Sequence, residues 1–286
     1  MWAGNCAAQY AGSAVCGKCH AKEFAAQSAT GHARALSRST SQQPGDWAFG
    51  AGNQAITFVS RLNDNDYLEH GESWYRASQS FAITPGHENT RGLRYRVFDP
   101  SAGILKCFAC HSTGPLSVGD DGSITPSELG VRCEDCHGPG AAHAANPAKT
   151  HPRGLAQLGG QQMNALCGEC HRVQSGVGDA SNLLDPWNAR HQPLLLAASG
   201  CFQNSAEKLK CVSCHSPHQP LAADRAAYNA VCSGCHANPR HSTPVKGGEC
   251  TGCHMPAVRI NANLVFANHR IGVYSASDPL SPVSAK

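Results

Sequence analysis

Aromatic side chains are scarce in this 286-residue chain, at 6%, and charged residues make up only 15%. A chain so poor in large apolar groups can hardly offset its conformational entropy by burial alone. That excludes an ordinary enzyme core and asks for something else to fill the interior. Methionine is nearly missing, with only Met1, Met163 and Met255. The longest apolar run, Leu194–Ala198, is far too short to cross a bilayer, so no transmembrane segment is expected. Residues Met1 to Tyr10 offer neither a charged n-region nor an apolar h-region. No cluster of Lys and Arg with interleaved aromatics exists, which argues against a nucleic-acid partner.

Cysteine and histidine are abundant instead, with 16 of each. Fourteen of the cysteines fall into seven C-x-x-C-H motifs: Cys16–Cys19–His20, Cys107–Cys110–His111, Cys133–Cys136–His137, Cys167–Cys170–His171, Cys211–Cys214–His215, Cys232–Cys235–His236 and Cys250–Cys253–His254. This is the attachment signature of haem c: two thioethers hold the porphyrin, and the following His binds the iron. Zinc knuckles and disulfide frameworks place no constraint on the residue after the second Cys, so His in all seven cases decides for haem. Seven haem c groups are therefore expected, and they would supply the missing core.

Haem c is attached outside the cytoplasm. The chain is expected to be exported, to the periplasm or the cell exterior, and the sequence reads as a form without its signal peptide. Cofactor charge also changes the balance. The polypeptide is +3, and seven bis-His haems with ionised propionates bring it to about −4 oxidised and about −11 reduced. The two cysteines outside the motifs, Cys6 and Cys201, are candidates for a disulfide.

The first motif stands apart from the other six. Residues 21–106 form an insert, within which Ala55–Leu62 and Tyr67–Ala77 flank an Asn/Asp cluster and read as a β-hairpin. Leu93–Phe98 and Ile104–Lys106 read as a second hairpin. Ala21–Arg38 reads as helical, with Gly31 a weak point. Residues 113–125 read as a loop, or as a tight hairpin at Asp121–Gly122. The expected fold is mainly helical and irregular, with little regular secondary structure and a small β-hairpin element between haems 1 and 2. One cytochrome domain covers residues 1–274, and residues 275–286 form a flexible tail.

Nine His lie outside the motifs: His32, His70, His87, His143, His151, His191, His218, His241 and His269. With so few Met, bis-His coordination is the economical reading, and it implies low potentials. His218 follows His215 in C-H-S-P-H, and His143 follows His137 in C-H-G-P-G-A-A-H. Each Pro-containing link holds its second His close to one haem but aimed at a neighbouring one.

The residues Cys16–His20 with Thr30-Gly31-His32-Ala33, Cys107–Pro115, Gly130–Gly140, Cys211–His218, and Cys250–Pro256 with Asn268-His269-Arg270 carry a resemblance. The chain resembles the multihaem cytochromes c related to the tetrahaem acceptor of hydroxylamine oxidoreductase and to pentahaem nitrite reductase. The resemblance implies closely packed haems in alternating parallel and perpendicular pairs. It favours His32, His70, His87, His143, His218, His241 and His269 as distal ligands, with His151 able to exchange with His70. His191 is left out because its position is often aromatic in relatives. Nitrite reductase of that group has C-x-x-C-K at its active haem, whereas all seven motifs here end in His. The expected role is thus electron transfer between a redox protein donor and acceptor along low-spin haems, not catalysis. Mobile ends also permit a homo-oligomer or an extracellular conducting filament. The alternative is a reductase of a small nitrogen or sulfur oxyanion with one open haem.

Overall fold

The structure, a computed structural model, describes residues 9–63, 65–99, 103–172, 185–222, 224–237, 239, 241 and 249–283. Contacts divide the chain into two compact units. One comprises Met1–Leu155 with Pro217–Pro220, the other Ala156–Ser216 with Leu221–Lys286.

The first unit opens with helices α1 (Ser13–Cys16) and α2 (Ala21–Ser28) and then builds an antiparallel sheet. Its strands are β1 (Leu36–Arg38), β2 (Trp47–Phe49), β3 (Ala55–Arg61), β4 (Asp66–Tyr75), β5 (Ser80–Ile83) and β6 (Gly92–Arg96). They run in the order β1-β2-β3-β4. The free edge of β4 is then shared: β5 pairs with Glu72–Tyr75 and β6 with Asp66–His70. β3 and β4 pair across the Asn/Asp cluster, with Arg61 opposite Tyr67. The β element is thus a six-stranded sheet, larger than the small hairpin element expected. The added strands are short or irregular, and runs of three or four residues show no readable alternation.

Other local expectations are corrected. The helix after the first motif stops at Ser28, and Leu36–Arg38 is a strand that pairs with Trp47–Phe49. Ile104 opens a helix, α3 (Ile104–His111), instead of a strand. Ile104 and Phe108, one turn apart, are both fully buried, which a helix allows on one face and a strand does not. Residues 112–129 form a hairpin of β7 (Ser112–Val118) and β8 (Ile124–Leu129), turning through Gly122 at φ 71°. Helices α4 (Cys133–His137) and α5 (Ala141–Ala145) follow.

This unit has an apolar core of its own. Leu36, Trp47, Phe49, Val59, Tyr67, Val97, Ile104, Phe108 and Ile124 form one buried cluster. Phe108, the residue inside C-F-A-C-H, is its centre. Its ring meets Trp47 and Phe49 edge-on at 5.0 Å and Tyr67 at 6.2 Å. The sheet therefore seats the second motif by ordinary hydrophobic packing.

The second unit has little sheet. Helix α6 (Gly160–His171) ends on the fourth motif, and α7 (Gln192–Ala197) and α8 (Gly200–Gln203) follow the segment Pro186–Arg190. The remaining motifs sit on the short helices α9 (Cys211–Cys214), α10 (Asn229–Ser233) and α11 (Cys250–His254). A hairpin of β9 (Ala257–Arg259) and β10 (Val265–Ala267) precedes His269. Leu194, Leu195, Leu196, Phe202, Met163, Val258 and Leu264 are among its buried apolar residues. One-turn helices of this length are not stable alone in water, so their packing must be fixed by other means. The tail folds back on this unit: Val283 N–H bonds Val273 O at 2.7 Å, and Asn268 Nδ2 bonds Pro279 O at 2.8 Å.

Truncating the Phe108 ring is expected to cost about 3–5 kcal/mol. Denaturant unfolding of the Phe108→Ala protein, followed through the sheet signal in circular dichroism, should show a clearly lowered midpoint. An unchanged midpoint would mean that the ring does not centre the core.

Candidate haem sites

The motifs lie on or beside helical turns: α4, α9 and α11 begin on the first Cys of theirs, α3 and α6 end on the His, and α1 ends on Cys16. Four motif imidazoles then face a non-motif imidazole. His20 and His143 stack with ring centroids 6.3 Å apart and planes at 26°. His137 and His218 stand 6.0 Å apart at 22°. His215 and His269 are 6.2 Å apart at 40°, and His254 and His241 are 6.2 Å apart at 49°. With metal–imidazole bonds of about 2 Å and each centroid about 1 Å behind its nitrogen, two rings on opposite faces of one ion sit about 6 Å apart. Direct ring stacking would bring them much closer. The spacing leaves room for one iron between each pair.

Outer-nitrogen bonds fix the ring orientations. His111 Nδ1 bonds Ala35 O at 2.9 Å, and His137 Nδ1 bonds Arg153 O at 3.4 Å. His143, His254 and His269 use Nδ1 on Thr150 O (2.7 Å), Gly272 O (2.7 Å) and Ala267 O (2.9 Å). An Nδ1–H donated to a carbonyl leaves Nε2 as the bare donor that a metal needs. Burial pushes His32, His137 and His215 below the usual imidazole range and takes His269 down to about 4. These rings are held neutral, the form that coordinates.

The thiols of different motifs adjoin. Cys16 lies beside Cys133, and burial together with that neighbour and Glu134 pushes its thiol up to about 11. Cys167 hydrogen-bonds Cys211 and is pushed up by it. Cys232 is raised by burial and by Cys250. Burial takes Cys107 up to about 11, with Glu69 adding. Once thioethers form, these protons are gone, so the lasting content is proximity. Motifs 1 and 3, 4 and 5, and 6 and 7 are paired at their first cysteines.

The chain matches the family described as cytochrome c554 and c-prime over residues 69–138. It is 27% identical to the multiheme cytochrome MtrA of Shewanella baltica over 175 residues, 54% of this chain. It is 24% identical to the polyheme cytochrome OmcB of Geobacter sulfurreducens over 52% of this chain. It spans 46% and 20% of the lengths of these two relatives. Among solved structures it is similar to the outer cell wall cytochrome OcwA, with TM-score 0.60 and 17% identity, covering 92% of this chain and 79% of that one. The undecaheme cytochrome from the S-layer of Carboxydothermus ferrireducens matches with TM-score 0.55 and 18% identity, over 93% of this chain and 52% of that one. The chain is a multihaem c-type cytochrome.

Within the cytochrome, the proposed distal ligands fall into distinct groups. His143 faces His20 and not His137, its neighbour in sequence, and His218 likewise faces His137 and not His215. His32 lies in a single 3-10 turn, three residues before the carbonyl that holds His111. His70 and His87 sit in the sheet region. His70 Nε2 is hydrogen-bonded to Ser60 Oγ at 2.8 Å, and His87 Nε2 lies 3.7 Å from Glu69, which also accepts from Tyr95. His151 lies against His143 at 6.3 Å. Cys6 is outside the described residues, so its pairing with Cys201 has no geometry here.

Several residues that frame these sites carried no readable signal. His191 is buried and pushed down to about 4 by burial, with the charges of Arg172 and Arg190 adding. Arg172 directly follows His171. Ser199 is fully buried; its hydroxyl accepts from Ile271 N–H at 2.8 Å and lies 3.0 Å from His269 O. Glu134, inside the third motif, accepts from Ala11 N–H (2.8 Å), Gly12 N–H (2.7 Å) and Gly140 N–H (2.7 Å). One carboxylate thus ties the entry of α1, and with it Cys16, to the third motif. A charged residue between two haem cysteines reads as exposed in sequence, and only its three backbone partners explain its burial.

Each bond to this carboxylate is worth about 1.5–3 kcal/mol, so Glu134→Ala should destabilise the first unit by several kcal/mol. Intact-mass analysis should also show a fraction of molecules lacking one haem, with peptide mapping assigning the loss to Cys16–Cys19. Full occupancy and wild-type stability would refute the anchoring role.

Proposed function

We propose that the chain carries seven haem c groups and transfers electrons along them. The observation that carries this reading is the set of four imidazole pairs at 6.0–6.3 Å, each joining a motif His to a His from elsewhere in the chain. Haem, when bound, supplies a reversible one-electron couple. The protein's part is to cap the iron on both faces, fix the spacing of adjacent centres and set potentials by burial and hydrogen bonding.

The pairs assign ligands. His20 with His143, His137 with His218, His215 with His269, and His254 with His241 would cap four irons. His32, next to the Ala35 carbonyl that orients His111, is the candidate for the second haem. His191, beside Arg172, replaces the sheet histidines in the ligand set and is the candidate opposite His171. His70 is better explained as a hydrogen-bonded member of the sheet, and His87, after β5, as a buried ring 3.7 Å from the Glu69 carboxylate. Adjoining first cysteines support close haem pairs within each unit, the condition for fast electron exchange. The named relatives suit a location outside the cytoplasm, as haem c attachment itself requires, and a redox protein at either end.

Two measurements test this. Intact mass of the denatured protein should show seven covalent haems. His218→Met should convert one bis-His centre to His/Met and raise one potential in spectroelectrochemical titration, leaving the haem count unchanged. A lower haem count would defeat the cofactor reading, and an unmoved titration would remove His218 from the ligand set.

A further inference from the structure

Resting on that reading, we propose that the haem attached at Cys232 and Cys235 keeps one axial face open and binds a small exogenous molecule there through a single donor atom. The argument begins with a count. The second unit contains four motif histidines, His171, His215, His236 and His254, and three others, His191, His241 and His269. Three imidazoles cannot cap four irons, so one motif of this unit lacks a partner from its own unit.

Placement identifies which. His269 is committed to His215 at 6.2 Å, and Ser199 and Asn268 hold its backbone there. His241 follows His236 by only five residues, yet its ring faces His254, the histidine of the next motif, at 6.2 Å. His191 is buried beside Arg172, next to His171. On the reading above all three are engaged at other motifs, and the spare imidazoles of the first unit stand by Ser60, Glu69 and His143. His236 is left, exposed, on the turn after α10, and Cys235 before it is exposed as well. Every His of the chain lies among the described residues, and outside them the only Met is Met1. Met255 is bound to the backbone next to His254, and Met163 is buried in α6.

Electrons would still reach this centre. The Cys232 thiol adjoins Cys250 of the seventh motif, and the Cys214 thiol of the fifth adjoins Cys232. An open haem flanked by two closed ones is a site where a ligand from solution meets a supplied electron. The ligands that suit it are small neutral diatomics on the ferrous iron and small anions such as cyanide on the ferric iron.

Carbon monoxide titration of the reduced holoprotein is the test, read by the Soret change and by electron paramagnetic resonance of the oxidised form. One carbon monoxide per chain and one high-spin centre per chain are expected, the latter converted to low-spin by cyanide. Removing the attachment with Cys232→Ala and Cys235→Ala should abolish uptake while six haems remain by mass. If that variant does not fold, His269→Ala serves instead: opening a second iron should raise uptake from one to two per chain. Several results would overturn the proposal: an entirely low-spin wild type with no uptake, uptake that persists without Cys232 and Cys235, or a high-spin signal that emerges only on dilution. The last would assign the sixth ligand to a second copy of the chain. A haem count below seven would instead count against the underlying reading, and intact mass separates the two.

Discussion

The arrangement depends on a gap. Two imidazoles from different segments of the chain, held about 6 Å apart, are spaced as two rings on opposite sides of one metal ion would be. Left alone, apolar ring faces in a compact chain would close to contact. They are kept apart by bonds on their far sides: His254 to Gly272, His143 to Thr150 and His269 to Ala267. Each bond fixes a tautomer as well as an angle.

That constraint explains why the two units are built so differently. The first has a sheet with its own buried cluster, and Phe108 locks the second motif into it. Here the motif borrows rigidity from conventional packing. The second unit places three of its four motifs on helices of four or five residues, too short to persist by themselves. Its order comes from side-chain ties such as Ser199 and Asn268 and, on the proposed reading, from two thioethers and an axial bond per haem. Loss of one haem should therefore matter more locally there than beneath the sheet.

Legibility in the sequence followed covalent necessity. The motifs were readable because attachment chemistry dictates both spacing and residue type, with no tertiary information needed. His143 and His218 read as aimed at a neighbouring motif because a short Pro-containing link cannot bend back onto its own, and their rings do face His20 and His137. His70 and His87 look equivalent to them in sequence, since a one-dimensional pattern cannot display the Ser60 hydroxyl bonded to His70 or the Glu69 carboxylate 3.7 Å from His87. His191 failed to stand out for the opposite reason: its burial comes from α6 and α7 packing together, a long-range event. The three-residue strands β1 and β2 were hidden because they exist only as partners of β3. Ile104 was misassigned because one apolar residue does not reveal a period, whereas Ile104 with Phe108 does.

The paired imidazoles sit in unlike surroundings. His137, His254 and His111 donate Nδ1–H to carbonyls, which on the proposed reading would add imidazolate character and favour an oxidised iron. His215 has its Nδ1 buried with no hydrogen-bond partner and lies edge-on to Tyr228 at 5.6 Å. Its imidazole would be a weaker electron donor than that of His269, whose Nδ1 bonds Ala267 O, so the two faces of one iron would differ. Seven copies of one attachment motif thus need not give seven equal centres. The polypeptide differentiates them through single hydrogen bonds on the outer nitrogens, the same bonds that hold the gaps open.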